Sequence, residues 1–271
     1  MSGYFVFEQN GVAFDTRDYD ITVVPADIDS APARSYTAYP RGGGNGDILV
    51  NTGRFDNVPR SYYILIDHDF VSTYEALCDA LLPFSCYGKL MDSWTTDEFF
   101  DAYLDGDLKP ILTRNEGMGK VLVTFSRKPQ RWLNSGLNPI SIPEYTSSNP
   151  VTITNPTSFI SSPIIEFVCS TMVDQHRVTT ICAVNGNAQV LISPNMNNLS
   201  SIMTAGNTYT YDCSTGELIE DSTGADLSYL LYGNTYKTKP VSVPKLLPNI
   251  ANIVNSNEGH KCTIIPRWYT V

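Results

Sequence analysis

Residues 4–14 read YFVFEQNGVAF, two runs of aromatic and β-branched residues separated by Asn10-Gly11. Asn-Gly is the pair most typical of a type I′ turn, because both central residues of that turn need a positive φ. Aromatic and β-branched residues on both sides of the pair favour extended strands. The segment therefore predicts an antiparallel β-hairpin at the start of the chain.

Further strand patterns and one convincing helix follow in the first half of the chain. The strand patterns lie at residues 20–24, 48–50, 61–66 and 120–125. Residues 72–82 show apolar positions at spacings of three and four residues, which predicts an amphipathic helix with one buried face. That face comprises Tyr74, Leu77, Cys78 and Leu81, and the predicted cap is Ser72 or Thr73. A weaker helical pattern covers residues 97–103.

A long segment without hydrophobic periodicity interrupts these patterns at residues 25–46. It is rich in Pro, Ala, Ser and Gly and ends in the sequence RGGGNGD at residues 41–47. We predict a long mobile loop, and loops of this length are usually functional. The glycine-rich end lacks a Lys-Ser or Lys-Thr pair and precedes a strand rather than a helix, which argues against a phosphate-binding loop.

The second half predicts a separate domain. Asn, Ser, Gly and three prolines cluster in residues 134–150, so we divide the chain into domains 1–140 and 141–271. Beyond this boundary, short strand patterns alternate with turn residues such as Asn185-Gly186, which predicts a β-sandwich. The strand patterns lie at residues 164–168, 179–184, 188–192, 208–212, 217–219 and 262–271. We predict a mostly β chain, with an N-terminal sandwich- or barrel-like domain that contains one helix.

The composition limits the classes of partner. The 271 residues include 28 Asp and Glu against 18 Lys and Arg, a formal net charge of −10. Because general nucleic-acid binding depends on a basic surface, we predict no nucleic-acid binding of this kind. The first residues show no basic segment before an apolar run of about 7–15 residues, and no run approaches the roughly 18 residues that span a bilayer. We therefore expect no membrane insertion and a protein made in a cytoplasm.

Residue types that support catalysis are few and badly spaced. His68, His176 and His260 fit none of the common helical metal-binding spacings, and the chain contains no Gly-x-Ser-x-Gly motif. Six cysteines form no CxxC pair, which favours buried reduced thiols over a zinc ribbon or a secreted disulfide framework. They are Cys78, Cys86, Cys169, Cys182, Cys213 and Cys262. We predict a protein that is not an enzyme and has no catalytic residue, cofactor or metal.

Three groups of residues leave weaker chemical interpretations open. Asp67-His68-Asp69 could form an acid–base cluster, although alternation along a strand turns the histidine away from both aspartates, and we prefer a solvated strand end. The second interpretation is a metal site, and the third is a glycosidase site. Their candidate residues are Cys169, Asp174, His176 and Cys182 for the metal, and the pairs Asp97/Glu98 and Glu220/Asp221 for the glycosidase.

Short motifs follow one another in a characteristic order along nearly the whole chain. The first half contains NG at 10–11, GNGD at 44–47, GRFDN at 53–57, YGKLMDS at 87–93 and VTFSRKPQ at 123–130. The second half contains NPT at 155–157, PII at 163–165, NG at 185–186, YDC at 211–213, KLLP at 245–248 and IPRW at 265–268. Together they resemble the distal tail proteins, called Dit, of long-tailed phages and prophages of Gram-positive bacteria.

The resemblance implies a structural protein of the virion tail tip, assembled in the cytoplasm of the host bacterium. Its second domain would be galectin-like in shape. Copies of the chain would form a hexameric ring around a DNA channel, and the ring would join the tail tube protein to the tail-associated hub protein and anchor receptor-binding proteins. The long loop suits a ring, since an extended arm can lie along a neighbouring copy and a head-to-tail contact can close. The predicted assembly interface comprises Arg41, Gly44, Asn45, Asp47, Arg54 and Phe55.

Two competing functions stand beside the structural one. The first is a carbohydrate-binding module for adhesion to the host, and the second is an enzyme that degrades the cell wall. A galectin-like shape does not by itself confer sugar binding. Trp268, the only tryptophan of the second domain, lies in a terminal Pro-Arg-Trp segment that favours packing, so we predict structural roles for Arg267 and Trp268.

Overall fold

A computed structural model describes residues 3–27, 31–112, 117–143, 150–169, 179–180, 182–188, 191–192, 204, 206–228, 244–256 and 260–271. The chain is mostly β, and one α-helix occurs among these residues, as the sequence predicts. It divides into two compact units, the first made of Met1–Trp132 with Val271 and the second of Leu133–Thr270. The ring-forming and galectin-like roles assigned to the two domains stay predictions.

Unit 1 is built on a large antiparallel sheet, with a separate two-stranded hairpin and one helix. Its elements are β1 (Phe5–Gln9), β2 (Val12–Asp15), β3 (Thr22–Pro25), β4 (Arg34–Pro40), β5 (Asp47–Phe55), β6 (Val58–Ile66), α1 (Phe70–Leu81), β7 (Gly88–Asp92), β8 (Glu98–Leu104), β9 (Lys109–Leu112) and β10 (Gly119–Leu133). The large sheet has the strand order β2-β1-β7-β8-β10-β6-β3, and β9 also pairs with β10. The first hairpin is confirmed, since Asn10 and Gly11 have φ values of 53° and 78°.

Aromatic side chains fill the core of unit 1. Phe5 and Phe7 alternate on β1 and are fully buried. The ring of Phe5 stacks on Tyr62 at 4.7 Å and meets the edge of Phe125 at 5.5 Å. Such offset and edge contacts stabilise aromatic pairs beyond the area that they bury. The helix α1 contributes Phe70, Leu77 and Leu81 to the same core.

The helix prediction is confirmed in position but wrong in its cap. α1 begins at Phe70 rather than at residue 72, and its N-cap is Asp69, which has φ 49° and makes no side-chain capping bond. Ser72, a predicted cap, instead donates its hydroxyl hydrogen bond to the carbonyl of Asp69. The helix starts earlier because the side chain of Phe70 is buried in the core, and this contact lies outside the local sequence pattern.

The helical prediction for residues 97–103 is wrong, since Glu98–Leu104 forms strand β8. β8 lies between β7 and β10, and it pairs with β7 through Gly88↔Ala102 and Leu90↔Phe100. Phe100 and Ala102 are both buried, which is the two-residue period of a strand. Pairing with neighbours distant in sequence therefore overrides a weak local helical preference.

A buried ion pair lies among the aromatic side chains of unit 1. The guanidinium of Arg60 contacts Asp92 Oδ2 through Nη2 at 2.6 Å and Nε at 3.1 Å, and the hydroxyl of Tyr62 donates to the same oxygen at 2.7 Å. Asp92 Oδ1 accepts bonds from the backbone N–H groups of Trp94 and Thr95. Both oxygens of this carboxylate are thus hydrogen-bonded, which is the condition under which a buried charge is tolerated.

The surroundings of Asp92 act on its pKa in opposite directions. Burial by itself would raise the pKa, but the hydrogen bond from Tyr62 and the charge and hydrogen bonds of Arg60 hold the pKa of Asp92 below its ordinary value of 3.8. Burial is the main cause that raises the pKa of Tyr62 well above its ordinary value of 10.0. The carboxyl is therefore ionised and the phenol protonated at neutral pH.

Unit 2 is a set of short antiparallel strands. They are β11 (Ile140–Ile142), β12 (Val151–Thr154), β13 (Ile164–Cys169), β14 (Thr179–Thr180), β15 (Cys182–Val184), β16 (Asn187–Ala188), β17 (Leu191–Ile192), β18 (Thr208–Asp212), β19 (Glu217–Glu220), β20 (Ala225–Asp226), β21 (Ala251–Ser256), β22 (His260–Ile265) and β23 (Tyr269–Thr270). The two larger sheets have the orders β11-β22-β13-β18-β19-β20 and β12-β21-β15-β16. Both sheets supply side chains to one core, as expected for a β-sandwich.

The Pro-Arg-Trp segment near the C-terminus has a structural role in unit 2, as predicted. Trp268 is only 5% exposed and belongs to the core. The backbone at Gly136 approaches so closely that a Cβ there would lie 2.3 Å from the nitrogen of Trp268. Arg267 has φ 58° and holds Asp212 through Nη1 at 2.8 Å and 2.9 Å. The indole is therefore not an open platform for stacking a sugar.

We expect Leu77→Ala to lower the free energy of unfolding of unit 1 by about 2–5 kcal/mol, because it removes buried methyl groups and leaves a cavity. Leu77 is 0% exposed, whereas Val71 on the same helix is 67% exposed. The control Val71→Ala should change stability by less than about 0.5 kcal/mol. Urea unfolding, monitored by hydrogen exchange of α1 peptides, measures the stability change of each variant. Equal losses of stability in the two variants would contradict the assigned buried face of the helix.

We expect Asp92→Asn to destabilise unit 1 by about 3–5 kcal/mol at neutral pH, because it leaves the buried Arg60 guanidinium without its counter-charge. A carboxyl with a lowered folded-state pKa stabilises the fold above its unfolded pKa and loses that contribution as pH falls through the folded value. The stability difference between parent and variant should therefore shrink as pH falls below 3.8. Hydrogen exchange of β6 and β7 peptides measures this stability difference. A difference independent of pH would contradict an ionised Asp92 paired with Arg60.

Candidate functional site

The predicted long loop at residues 25–46 is wrong for residues 34–40, which form one strand of a β-hairpin. Arg34–Pro40 forms β4 and pairs antiparallel with β5, and only residues 41–46 make the turn between them. Residues 28–30 lie outside the described part. The Pro, Gly and Ser content suggested a loop, but pairing with a partner strand across the turn decides the conformation. We call residues 34–55 the arm.

The register of the arm divides its side chains between two faces. Tyr36 pairs with Asn51 and Ala38 with Leu49, whereas Tyr39 pairs with Ile48. Because successive side chains of a strand point to opposite faces, Tyr36 and Leu49 share one face. Tyr39 and Ile48 share the other face with Val50. Each face of this two-stranded sheet therefore carries large apolar side chains.

The arm is exposed on both faces. Every residue from 36 to 51 is exposed, and its five large hydrophobic side chains are between 48% and 63% exposed. These are Tyr36, Tyr39, Ile48, Leu49 and Val50. An isolated two-stranded hairpin is marginally stable in water, and a contiguous exposed apolar surface marks an interaction site. The arm has the properties of a segment that another molecule covers.

Glycines with positive φ form the tip of the arm. Gly43 has φ 76° and Gly46 has φ 83°, a conformation that side-chain-bearing residues rarely adopt. The N–H of Gly44 donates a long 3.4 Å hydrogen bond to the carbonyl of Arg41. A Cβ at Gly43 or Gly46 would meet no other atom, so φ rather than space selects glycine at these positions.

The base of the arm is attached to the core sheet. Phe55 is half-buried, and the guanidinium of Arg34 lies 5.0 Å from the centre of its ring. The N–H of Asp56 donates to the carbonyl of Ala33 at 2.9 Å. β6 begins at Val58 and contains Arg60, which is held by Asp92. The buried ion pair therefore fixes the strand from which the arm leaves the core.

The formal charge of the arm has the opposite sign to that of the rest of the chain. Residues 34–55 contain three arginines and one aspartate, a formal charge of +2. Because the whole chain sums to −10, the remaining residues carry −12. The charged residues of the arm are Arg34, Arg41, Asp47 and Arg54. Opposite charge on two surfaces favours and steers their association.

The predicted interface residues all lie on the arm, at its two ends. Arg41, Gly44, Asn45 and Asp47 are at the tip, and Arg54 and Phe55 are at the base. Their role as an assembly interface stays a prediction. The apolar middle of the arm was missed as a candidate surface. The alternation of Tyr36 and Tyr39 around polar or small residues, followed by the apolar run at 48–50, was the available signal.

The acid–base and metal interpretations gain no support from the described residues. Asp67, His68 and Asp69 are all exposed, and His68 Nε2 lies 3.4 Å from the exposed carboxylate of Asp20. No group of three or more potential metal ligands occurs in the parts of the chain that the structure describes. Asp174 and His176 lie outside those parts.

The prediction of buried thiols holds for three cysteines of unit 2. Cys182, Cys213 and Cys262 are free and buried. The prediction is wrong for Cys86, which is exposed, and Cys78 is half-buried. Cys86 lies outside the strands, in the connection before β7, where Gln9 Nε2 donates to its sulfur at 2.8 Å. Within the described segments, no helix is both long and apolar enough to cross a bilayer.

Comparison with known proteins shows likeness in structure. No family model matches the sequence, and no curated protein matches it. The chain is similar to the Dit protein (gp 19.1) of SPP1, described as a paradigm of the hub adsorption apparatus in phages that infect Gram-positive bacteria. The TM-score is 0.64 at 11% identity, over 100% of both chains.

A second likeness is to a chain of the phage P2 baseplate in its activated conformation with Ca. The TM-score is 0.50 at 8% identity, over 97% of this chain and 98% of the P2 chain. At such low identities, structural likeness shows the fold. The resemblance found in the sequence is therefore confirmed at that level, and the described residues have the fold of a phage Dit protein.

Proposed function

We propose that the chain is a structural protein of the phage tail tip, whose copies assemble through the arm into a hexameric ring. The ring joins the tail tube protein to the tail-associated hub protein, surrounds a DNA channel and anchors receptor-binding proteins. The protein acts by binding and has no enzymatic activity. It assembles in the host cytoplasm and remains at the tail tip of the virion. The observation that carries this proposal is the apolar arm exposed on both faces.

The exposed apolar surface of the arm supports an assembly role. Burying apolar surface contributes roughly 25 cal/mol per Å², so five large side chains left in water represent several kcal/mol of unrealised stabilisation. The two cores formed by the described residues contain none of these five side chains. A neighbouring molecule that covers Tyr36, Leu49 and Tyr39 would recover this stabilisation.

The charge of the arm favours a second copy of the chain as that neighbour. The arm carries +2 and the remaining residues carry −12, so the arm of one copy is complementary to the body of the next. An arm on one side and a receiving surface elsewhere make a head-to-tail contact. Such a contact generates a closed ring when its rotation divides the circle.

The negative charge of the residues outside the arm is also compatible with the proposed DNA channel. DNA carries a dense array of phosphates, and basic surfaces hold it by counterion release. A protein that surrounds a passing genome must not hold it in this way. A net charge of −10 favours repulsion over capture.

The fold of the Dit protein of SPP1 supports the proposed place in the virion. That protein is described as a paradigm of a hub adsorption apparatus, and the likeness covers 100% of both chains. Carbohydrate binding is the competing function. The burial of Trp268 disfavours it, because a stacking platform needs an open aromatic face. A glycan array separates the two functions, since a purely structural protein should bind no glycan on it.

We expect Leu49→Asp to abolish rings while leaving each chain folded, because it places a charge in the apolar contact that the arm makes. In light scattering, the mass should fall from about 180 kDa, six copies of 30.0 kDa, to that of one chain. Val71→Asp is the matched control, since Val71 is similarly exposed and lies on α1 rather than on the arm. Negative-stain electron microscopy of both variants shows whether rings are present.

A shortened arm gives an independent test of the same proposal. Thr37 pairs with Val50, so residues 38–49 can be replaced by Asn-Gly, the turn that this chain uses between Gln9 and Val12. The circular dichroism and the thermal midpoint should match the parent, but no rings should form. Rings from the shortened chain, or a parent that remains a single chain at high concentration, would contradict the arm as the assembly element.

A further inference from the structure

A groove lies between the first hairpin and the C-terminal end of α1. Its volume is about 460 Å³, within the range of about 300–1,000 Å³ typical of binding pockets. The hairpin side contributes Val12, Ala13 and Phe14, and the helix side contributes Ala80 and Phe84. β2 is the terminal strand of the core sheet, so the groove opens at a sheet edge. The whole groove lies within unit 1.

The lining of the groove is apolar with acidic groups. Val12 is 62% exposed, a large value for a β-branched residue on a sheet strand. Asp15, Asp18 and Asp79 also line the groove, and no lysine or arginine is among the described residues of its lining. Asp15 is held by Arg17, which contacts it through Nε at 2.9 Å. The exposed carboxylates of Asp18 and Asp79 give the groove a negative character.

We propose that this groove receives the arm of a second copy, an inference that rests on the proposed function. The arm presents apolar side chains and a formal charge of +2, and the groove presents apolar walls with carboxylates. Leu49 is 63% exposed on the arm, and Val12 is 62% exposed on the wall of the groove. Both surfaces are apolar and their charges are opposite, so apolar burial and charge attraction both favour their contact.

Arm and groove are different surfaces of one chain, so their pairing is head-to-tail. Each copy would donate one arm and accept another, and every copy in a ring would then have both surfaces covered. The exposed fractions fit this requirement. Both Leu49 and Val12 are more than 60% exposed in the single chain and would be buried together in the ring.

Cysteine cross-linking tests the contact directly. In a Cys86→Ser background, the double variant Leu49→Cys/Ala13→Cys is treated with a short bis-maleimide and separated on a denaturing gel. Ala13 is exposed and lines the groove, so we expect a ladder of covalently joined chains up to the ring size. Leu49→Cys/Val71→Cys is the matched control, because Val71 is 67% exposed and outside the groove, and it should give monomer only.

Light scattering of the same samples separates the two proposals. Rings near 180 kDa, together with a ladder from Leu49→Cys/Ala13→Cys and not from Leu49→Cys/Val71→Cys, support both the ring and the arm–groove contact. Rings without that ladder, or with an equal ladder from the Val71 pair, overturn the groove and leave the ring standing. Absence of rings from the parent chain overturns both. Val12→Asp should also raise the protein concentration needed for rings at least tenfold, whereas Val71→Asp should leave it unchanged.

Discussion

A two-stranded hairpin with exposed apolar side chains on both faces is marginally stable in water, and the arm at residues 34–55 is such a hairpin. Both units of the chain bury their aromatic and aliphatic side chains in cores of their own, and the large apolar side chains of the arm belong to neither core. These five side chains remain about half exposed. Removing this surface from water is the physical requirement on which the proposed assembly role rests.

The core of unit 1 fixes the position of the arm's base. β6 leaves the arm after Phe55, and Arg60 on this strand is bound to the buried carboxylate of Asp92. Tyr62 on the same strand donates to Asp92 and stacks on Phe5, so one network joins the arm's base to the first hairpin. An arm that joins two copies, as proposed, has to leave unit 1 at a defined position, and a fully hydrogen-bonded buried network provides that rigidity.

Charge and apolar surface act together in this chain. A net charge of −10 opposes the approach of other copies and of phosphates, whereas the arm carries a formal charge of +2 and is a local exception to this repulsion. The groove beside β2 collects apolar walls and carboxylates in the same unit. In the proposed head-to-tail contact between these two surfaces, opposite charge would select the partner and apolar burial would stabilise the complex.

Local sequence determined the elements whose conformation depends on neighbouring residues. Asn10-Gly11 specifies its turn because both residues tolerate positive φ, and the spacing of Leu77 and Leu81 indicates the buried face of α1. The order of short motifs was sufficient to indicate a Dit-like fold, which the structure shares with the SPP1 protein. Overall charge and the lack of catalytic spacing favoured a structural role over chemistry.

Tertiary structure alone decided the elements that depend on distant partners. Residues 98–104 are a strand because β7 and β10 flank them, and residues 34–40 are a strand because β5 pairs with them across the turn. The groove joins Val12 to Asp79, which are far apart in the sequence. The sequence determined turns, the helix and the fold class through local preferences, whereas pairing, exposure and the groove arise from contacts that only the folded chain creates.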